Sequence, residues 1–225
     1  MPLNSVLRGD CIEVMRGLPA ASVDFVLADP PYLVNYVDRS GRRVANDRND
    51  HWLVPAFEGI ARLMKPDTFC VSFYGWSRAD RFFHAWRRAG LAPVGHLTFP
   101  KRYASSTRML RYQHEGAYLL AKGRPPRPAA PIGDVIPREY TGNRLHPTQK
   151  PTSILTPLVR CFCPQGGLVL DPFAGSGSSL VAARLVDRSF LGIELDPAMH
   201  ATASARLSAG PRRRPPLPAD VGAAA

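Results

Sequence analysis

Acidic residues are scarce in this chain. Eighteen Asp and Glu face 29 Lys and Arg across 225 residues, a formal net charge of +11. That deficit favours a polyanionic partner. Cysteine is also sparse: Cys11, Cys70, Cys161 and Cys163 match no zinc-site spacing, and Cys161-Phe162-Cys163 lacks the usual two-residue gap. They read as reduced thiols, so no metal site and a cytoplasmic location are expected. No apolar run is long enough to span a bilayer, and Met1 to Val6 lacks the basic and apolar regions of a signal peptide, so no membrane partner is expected. Internal repeats are absent. So are a Walker A loop and a full G-x-G-x-x-G, which removes the two simplest nucleotide signatures.

What is present is a rhythm of strands and helices. Apolar, β-rich runs recur at Ser5–Leu7, Val23–Ala28, Thr68–Tyr74, Val94–Phe99, Gly116–Ala121, Leu168–Leu170 and Phe190–Leu195. Helix-period stripes lie between several of them: Trp52, Phe57, Ile60, Ala61 and Met64; Phe82, Phe83 and Trp86; Ile154, Leu155, Leu158 and Val159; and Leu180 to Val186. The alternation predicts an α/β fold with a mostly parallel sheet of about seven strands in one domain over 1–209. Two stretches fall outside it. Asn35 to Asp50 is polar and reads as a mobile loop. Gly123 to Lys150 is rich in Pro, Gly and Arg. Residues 210–225 are low-complexity Pro/Arg/Ala and read as a disordered tail.

Two motifs sit at predicted strand ends. After Val23–Ala28 comes Asp29-Pro30-Pro31-Tyr32. The first proline has no N–H, both rings fix φ, and each disfavours helix in the residue before it. A carboxylate, a stiff carbonyl and a flat aromatic face could hold a flat molecule bearing an amino group; taken alone, the four residues equally make a rigid turn. After Leu168–Leu170 comes Asp171-Pro172-Phe173-Ala174-Gly175-Ser176-Gly177-Ser178-Ser179, a small-residue turn leading into a helix. Its glycines permit close backbone approach and the helix start offers free N–H groups. Glu194 ends the next strand, where doubly wound folds put an acid for ribose hydroxyls, or where a strand simply meets solvent. Two such strand ends on one parallel sheet open into the same crevice.

Together these motifs resemble the β-class adenine-N6 DNA methyltransferases, in which the catalytic motif precedes the cofactor motif. The resemblance extends to Gly9-Asp10-Cys11, to His114-Glu115 and to His146-Pro147-Thr148-Gln149-Lys150-Pro151, and spans about residues 5 to 205. It implies a Rossmann-like class I methyltransferase fold in circularly permuted motif order, with S-adenosylmethionine as cofactor and double-stranded DNA as partner. It implies that Asp29, Pro30, Pro31 and Tyr32 are catalytic, with Asp29 and the Pro30 carbonyl accepting from the N6 hydrogens and Tyr32 stacking on a flipped-out base. The turn of Phe173, Ala174, Gly175, Ser176, Gly177 and Ser178 would wrap the methionine part, with Asp171 also binding the cofactor. Glu194 would hold the ribose, Asp10 the adenine amine, Cys11 the ring through its backbone, and Lys150 with Thr148 the carboxylate end.

From Lys101 to Lys150 there are ten Lys or Arg and three Asp or Glu. Residues 101–145 are therefore the expected DNA-recognition segment, with Lys101, Arg102, Arg108, Arg111 and Arg144 as candidate contacts. Relatives of this kind often carry a long recognition insert before the His-Pro-Thr-Gln-Lys-Pro motif; here the stretch is short. Specificity is expected from a short site, from the Asn35–Asp50 loop or from a second subunit, and a homodimer is consistent with the resemblance. Asp29 points to adenine; Ser there is usual for cytosine-N4 enzymes of the family.

Overall fold

Val23–Ala28 forms β2, whose side chains are buried on both faces of the sheet. The computed structural model describes residues 1–37, 41, 46–104, 109–138 and 149–209. Arg108, Arg144, Thr148 and the 210–225 tail therefore lie outside the described residues. The other strands are β1 (Ser5–Arg8), β3 (Met64–Phe73), β4 (Ala92–Pro100), β5 (His114–Lys122), β6 (Leu168–Asp171) and β7 (Ser189–Glu194). They form one sheet in the order β1-β7-β6-β2-β3-β5-β4. Six strands run in one direction, and β5 alone is reversed, pairing antiparallel with both β3 and β4. The mostly parallel, seven-stranded sheet read from the sequence is the one observed.

Its winding carries the permutation. β6 leads to β7, and the next strand in space is β1 from the start of the chain, with Ser5 opposite Leu191 and Arg8 opposite Glu194. Helices cover both faces. Val26 and Ala28 share one core with α1 (Cys11–Arg16), α2 (Leu53–Leu63) and α3 (Ala79–Arg88). Phe25 and Leu27 face a second core with α4 (Thr152–Phe162) and α5 (Ser178–Arg184). Burial on both sides explains why β2 reads as a continuous apolar run instead of an alternating one.

Three local expectations are corrected. Met64, assigned to a helical stripe, starts β3. Helices α1 and α6 (Pro197–Ser208) went unread; α6 buries only Ala203 fully and so lacks an apolar stripe. Both nonetheless carry start signals. Asp10 accepts from Ile12 N at 2.8 Å, and Asp196 accepts from Ala198 N at 2.8 Å with Pro197 in the first turn. Part of the Pro-rich stretch is built into the sheet edge: Thr98 N donates to Asp134 O at 2.7 Å and Ile136 N to Thr98 O at 2.9 Å, covering β4.

Candidate active site

β2 and β6 are adjacent parallel strands at the centre of the sheet. From them the connections diverge, β6 toward β7 and β2 toward β3, so a crevice opens beyond their carboxyl ends. Asp29 follows β2 and Asp171 ends β6. The cavity there is about 560 Å³ and also takes in Asp10, Tyr32, Lys150 and Glu194. That volume suits a cofactor-sized ligand. Both motifs therefore face one space, as their strand-end positions require.

On one side of the cavity Asp29 accepts from two side chains. Lys150 Nζ donates to Asp29 Oδ1 at 2.8 Å and Oδ2 at 2.7 Å, and to the Tyr32 hydroxyl oxygen at 3.0 Å. The Tyr32 hydroxyl donates to Asp29 Oδ1 at 2.9 Å. Burial first, and then the Asp29 charge, push the Tyr32 hydroxyl well above the ordinary phenol range, so it stays a donor. Lys150, expected at the carboxylate end of a cofactor, lines the cavity and its ammonium clamps the Asp29 carboxylate. Behind Lys150 lies Glu115 of β5, which the sequence marked only as part of a strand. Glu115 Oε1 accepts from Lys101 at 2.9 Å and from Arg138, and Oε2 lies 3.5 Å from Lys150 Nζ. Burial raises the Glu115 pKa, but Lys150, Arg138 and Lys101 outweigh it and hold the carboxyl at about 2.

On the other side the glycine-rich turn is laced to its surroundings. Asp171 Oδ1 accepts from Phe173 N at 2.9 Å and Oδ2 from the Ser179 hydroxyl. Burial pushes its carboxyl up to about 7, against the pull of those two donors. Asp171, expected to bind cofactor, lines the cavity, and its two oxygens brace the turn around it. Glu194 Oε2 accepts from Gly175 N at 2.6 Å and Oε1 from Asp196 N at 2.8 Å, which ties the turn to β7. Burial raises Glu194 too, partly offset by these N–H groups. Gly177 has φ +77°, and a Cβ there would lie 3.1 Å from Ala203 Cβ of α6. Arg206, also on α6, donates to the Ser176 hydroxyl at 3.2 Å and the Ser178 hydroxyl at 3.3 Å. Cys11, deep beside Asp10 and Glu194, has its thiol pushed up to about 12 by burial first and then by those charges, so it stays neutral.

The segment after Tyr32 is held from behind. Asp47 is buried, and its carboxylate accepts from Val34 N at 3.2 Å and Tyr36 N at 2.5 Å. Trp52 Nε1 donates to Asn46 O and Asn49 O, both at 2.9 Å, and its ring meets Phe173 edge-on at 5.6 Å. Where it is described, the Asn35–Asp50 loop is thus anchored, against the reading as a mobile loop. Leu33 and Asn35 adopt φ of 61° and 53°, a region bulky residues avoid. Strain of this kind concentrates at functional sites. Gly75, just after β3, has no space for a side chain, because a Cβ would overlap the Tyr32 carbonyl oxygen. Asp47, Gly75 and Arg206 escaped the sequence reading as site residues, while Trp52 was read only into a helical stripe and Glu115 only into a strand. Only Gly75 and Trp52, residue types that mark special backbone or packing, offered a local signal.

The basic segment divides. Lys101 is corrected from DNA contact to interior cation: its side chain is 4% exposed and paired to Glu115. Arg138 is equally buried on the same carboxylate. Arg102 and Arg111 are exposed and remain available to a polyanion.

Fold and site together define a class I transferase architecture with a permuted chain. Residues 23–205 match the family of N6/N4 DNA methylases, and the chain belongs to that family. It is similar to the methylase YubD of Escherichia coli (strain K12), with 49% identity over 92% of this chain and 91% of that one. Among solved structures, the M1.HpyAVI–SAM complex superposes with a TM-score of 0.72 at 20% identity, covering 90% of this chain and 98% of the other. The cytosine-N4-specific PvuII DNA methyltransferase gives 0.72 at 15% identity, covering 90% and 85%.

Proposed function

We propose that the chain transfers a methyl group from S-adenosylmethionine to adenine N6 of a base flipped out of duplex DNA. The observation that carries this reading is Asp29 at the shared crevice, an anionic acceptor beside a flat ring and across the cavity from a braced glycine turn. The residues fit the cofactor: the backbone at Phe173–Ser178 suits its amino-acid part, and Glu194 and Asp10 suit its ribose and adenine. Bound there, S-adenosylmethionine would supply a sulfonium methyl to the amine nitrogen, with the electron pair of the broken C–S bond staying on sulfur as S-adenosylhomocysteine leaves. Residues 1–209 act as one catalytic unit, because β1 and β7 share a ladder.

An exocyclic amine is a weak nucleophile, since its lone pair is delocalised into the ring. Asp29 and the Pro30 carbonyl accept its two hydrogens and favour a pyramidal nitrogen. Tyr32 stacks on the base. Once methylated, the nitrogen carries positive charge and gives one proton to Asp29, which passes it to solvent. Positioning and electrostatics carry the rate.

The second reading is cytosine N4, supported by the superposition on the PvuII enzyme. Incubation of unmethylated duplex DNA with tritiated cofactor separates them. N6-methyladenine from wild type and no product from Asp29→Ala are expected; label in cytosine N4 alone would sink the base assignment.

A further inference from the structure

We propose that Lys150 is a stand-in for the target amine before DNA binds, and that Glu115 is the positioning residue that receives it when the base enters. This rests on the reading above that Asp29 takes the substrate's amino group.

Lys150 presents a nitrogen with N–H donors to both Asp29 oxygens, at 2.8 and 2.7 Å, which are the acceptors the target amine needs. It sits beside the ring the base would stack on, 5.3 Å from the Tyr32 centroid. The Tyr32 hydroxyl takes a further share of Oδ1. Asp29 already accepts three hydrogen bonds, and the ammonium spans both oxygens, so it stands where an incoming base amine would bond. The ammonium has an alternative. Glu115 Oε2 is buried, has no hydrogen-bond partner among the described residues, and lies 3.5 Å from Lys150 Nζ. Its other oxygen is already held by Lys101 and Arg138, so Glu115 stays fixed and ionised while Lys150 moves. A short swing brings Nζ within hydrogen-bond range of Oε2.

Charge makes the exchange productive. An unpaired carboxylate in a buried pocket is costly, and Lys150 spares Asp29 that state when no base is present. During transfer the amine nitrogen becomes cationic, and an ammonium left on Asp29 would repel it. Withdrawal to Glu115 lowers that repulsion and frees the acceptor in one movement. The cation never loses a carboxylate partner, so the step avoids stranding a buried charge.

The test is steady-state methylation of unmethylated genomic DNA with tritiated cofactor, alongside calorimetry of cofactor binding. Removing the competitor in Lys150→Met should lower KM for DNA about threefold or more. Removing the receiving charge in Glu115→Gln should raise KM about tenfold with a much smaller change in kcat. In Lys150→Met/Glu115→Gln the Glu115 effect should vanish, because no cation remains to be received. A higher KM in Lys150→Met, or a Glu115→Gln effect that persists without Lys150, overturns the proposal. Should Glu115→Gln fail to fold, a structure of the wild-type DNA complex decides: Nζ bonded to Glu115 Oε2 supports it, and Nζ still on both Asp29 oxygens overturns it. A wild type inactive on both bases removes the reading beneath the proposal, whereas an active one with the wrong order of KM values removes the exchange alone. Transfer to cytosine N4 would leave the exchange intact, since either amine takes the same acceptor.

Discussion

Gly75 stands directly against the carbonyl of Tyr32, and no methyl group fits between them. Tyr32 also donates to Asp29, so the backbone position behind the ring bears on the pair proposed to be catalytic. Gly75→Ala must push the Tyr32 peptide into the cavity. Overpacking of this kind costs ~1–3 kcal/mol. Methyl transfer should fall tenfold or more, while cofactor affinity measured by calorimetry should change little, because the glycine-rich turn lies across the crevice.

Asp171 predicts a dependence of stability on pH. Its carboxyl stands at about 7 in the fold, raised from an ordinary 3.8. A raised folded pKa contributes stability that is complete below about pH 4 and is lost as pH rises toward 7. Asp171→Asn cannot ionise, so its stability relative to wild type should increase between pH 5 and pH 8 by an amount on the order of a few kcal/mol. Urea unfolding of both proteins at the two pH values measures it; parallel changes would refute it.

Glu115 acts in the opposite direction. Its carboxyl is held at about 2 by three cations, so the stability it supplies is present above pH 4.5 and drains away as pH falls toward 2. The contribution is roughly 3 kcal/mol. Acid titration of Glu115→Gln should show a flatter decline than wild type over that window.

Lys101 and Arg111 should separate interior from surface charge. Arg111→Ala and Arg102→Ala should weaken DNA binding and make its dependence on salt shallower by about 0.9 for each phosphate no longer neutralised. Lys101→Met should lower the thermal midpoint and leave the salt slope unchanged, since its side chain is 4% exposed and paired to Glu115. An equal slope change for Lys101→Met would return it to the DNA surface.

Arg206 of α6 supports the glycine-rich turn, and Gly177 within that turn packs against Ala203 of the same helix. Arg206→Ala removes the donors to the Ser176 and Ser178 hydroxyls. Gly177→Ala forces a side chain into φ +77° and against Ala203. Each should weaken S-adenosylmethionine binding about tenfold in calorimetry, with the far-ultraviolet spectrum preserved.

The sheet was legible because its strands are apolar runs punctuated by Gly, Pro and Asp, and because burial on both faces made β2 continuous. The motifs were legible for the same local reason: Pro30, Pro31, Gly175 and Gly177 mark backbone that can do little else. What escaped depends on partners distant in sequence. Lys101 looks like any surface cation until β4 and β5 bring Glu115 beside it. Asp47 reads as one acid in a polar loop, although its carboxylate holds Val34 and Tyr36. Lys150 reads from its motif as a cofactor contact, and nothing near it in sequence marks its ion pair with Asp29, 121 residues away. Helix α6 hid because an Ala-rich segment packs without an apolar stripe.

The ladder between β1 and β7 also sets the order of assembly. Ser5 must wait for Leu191, so β1 has no partner in the sheet until β7 has been synthesised. At ~5–20 residues per second that delay is ~10–40 s of translation. Asp10 and Glu194 become neighbours only when it ends. A nascent chain on the ribosome therefore holds half a pocket, and cofactor can stabilise the fold only as a late ligand, sealing a seam between β1 and a strand made long after it.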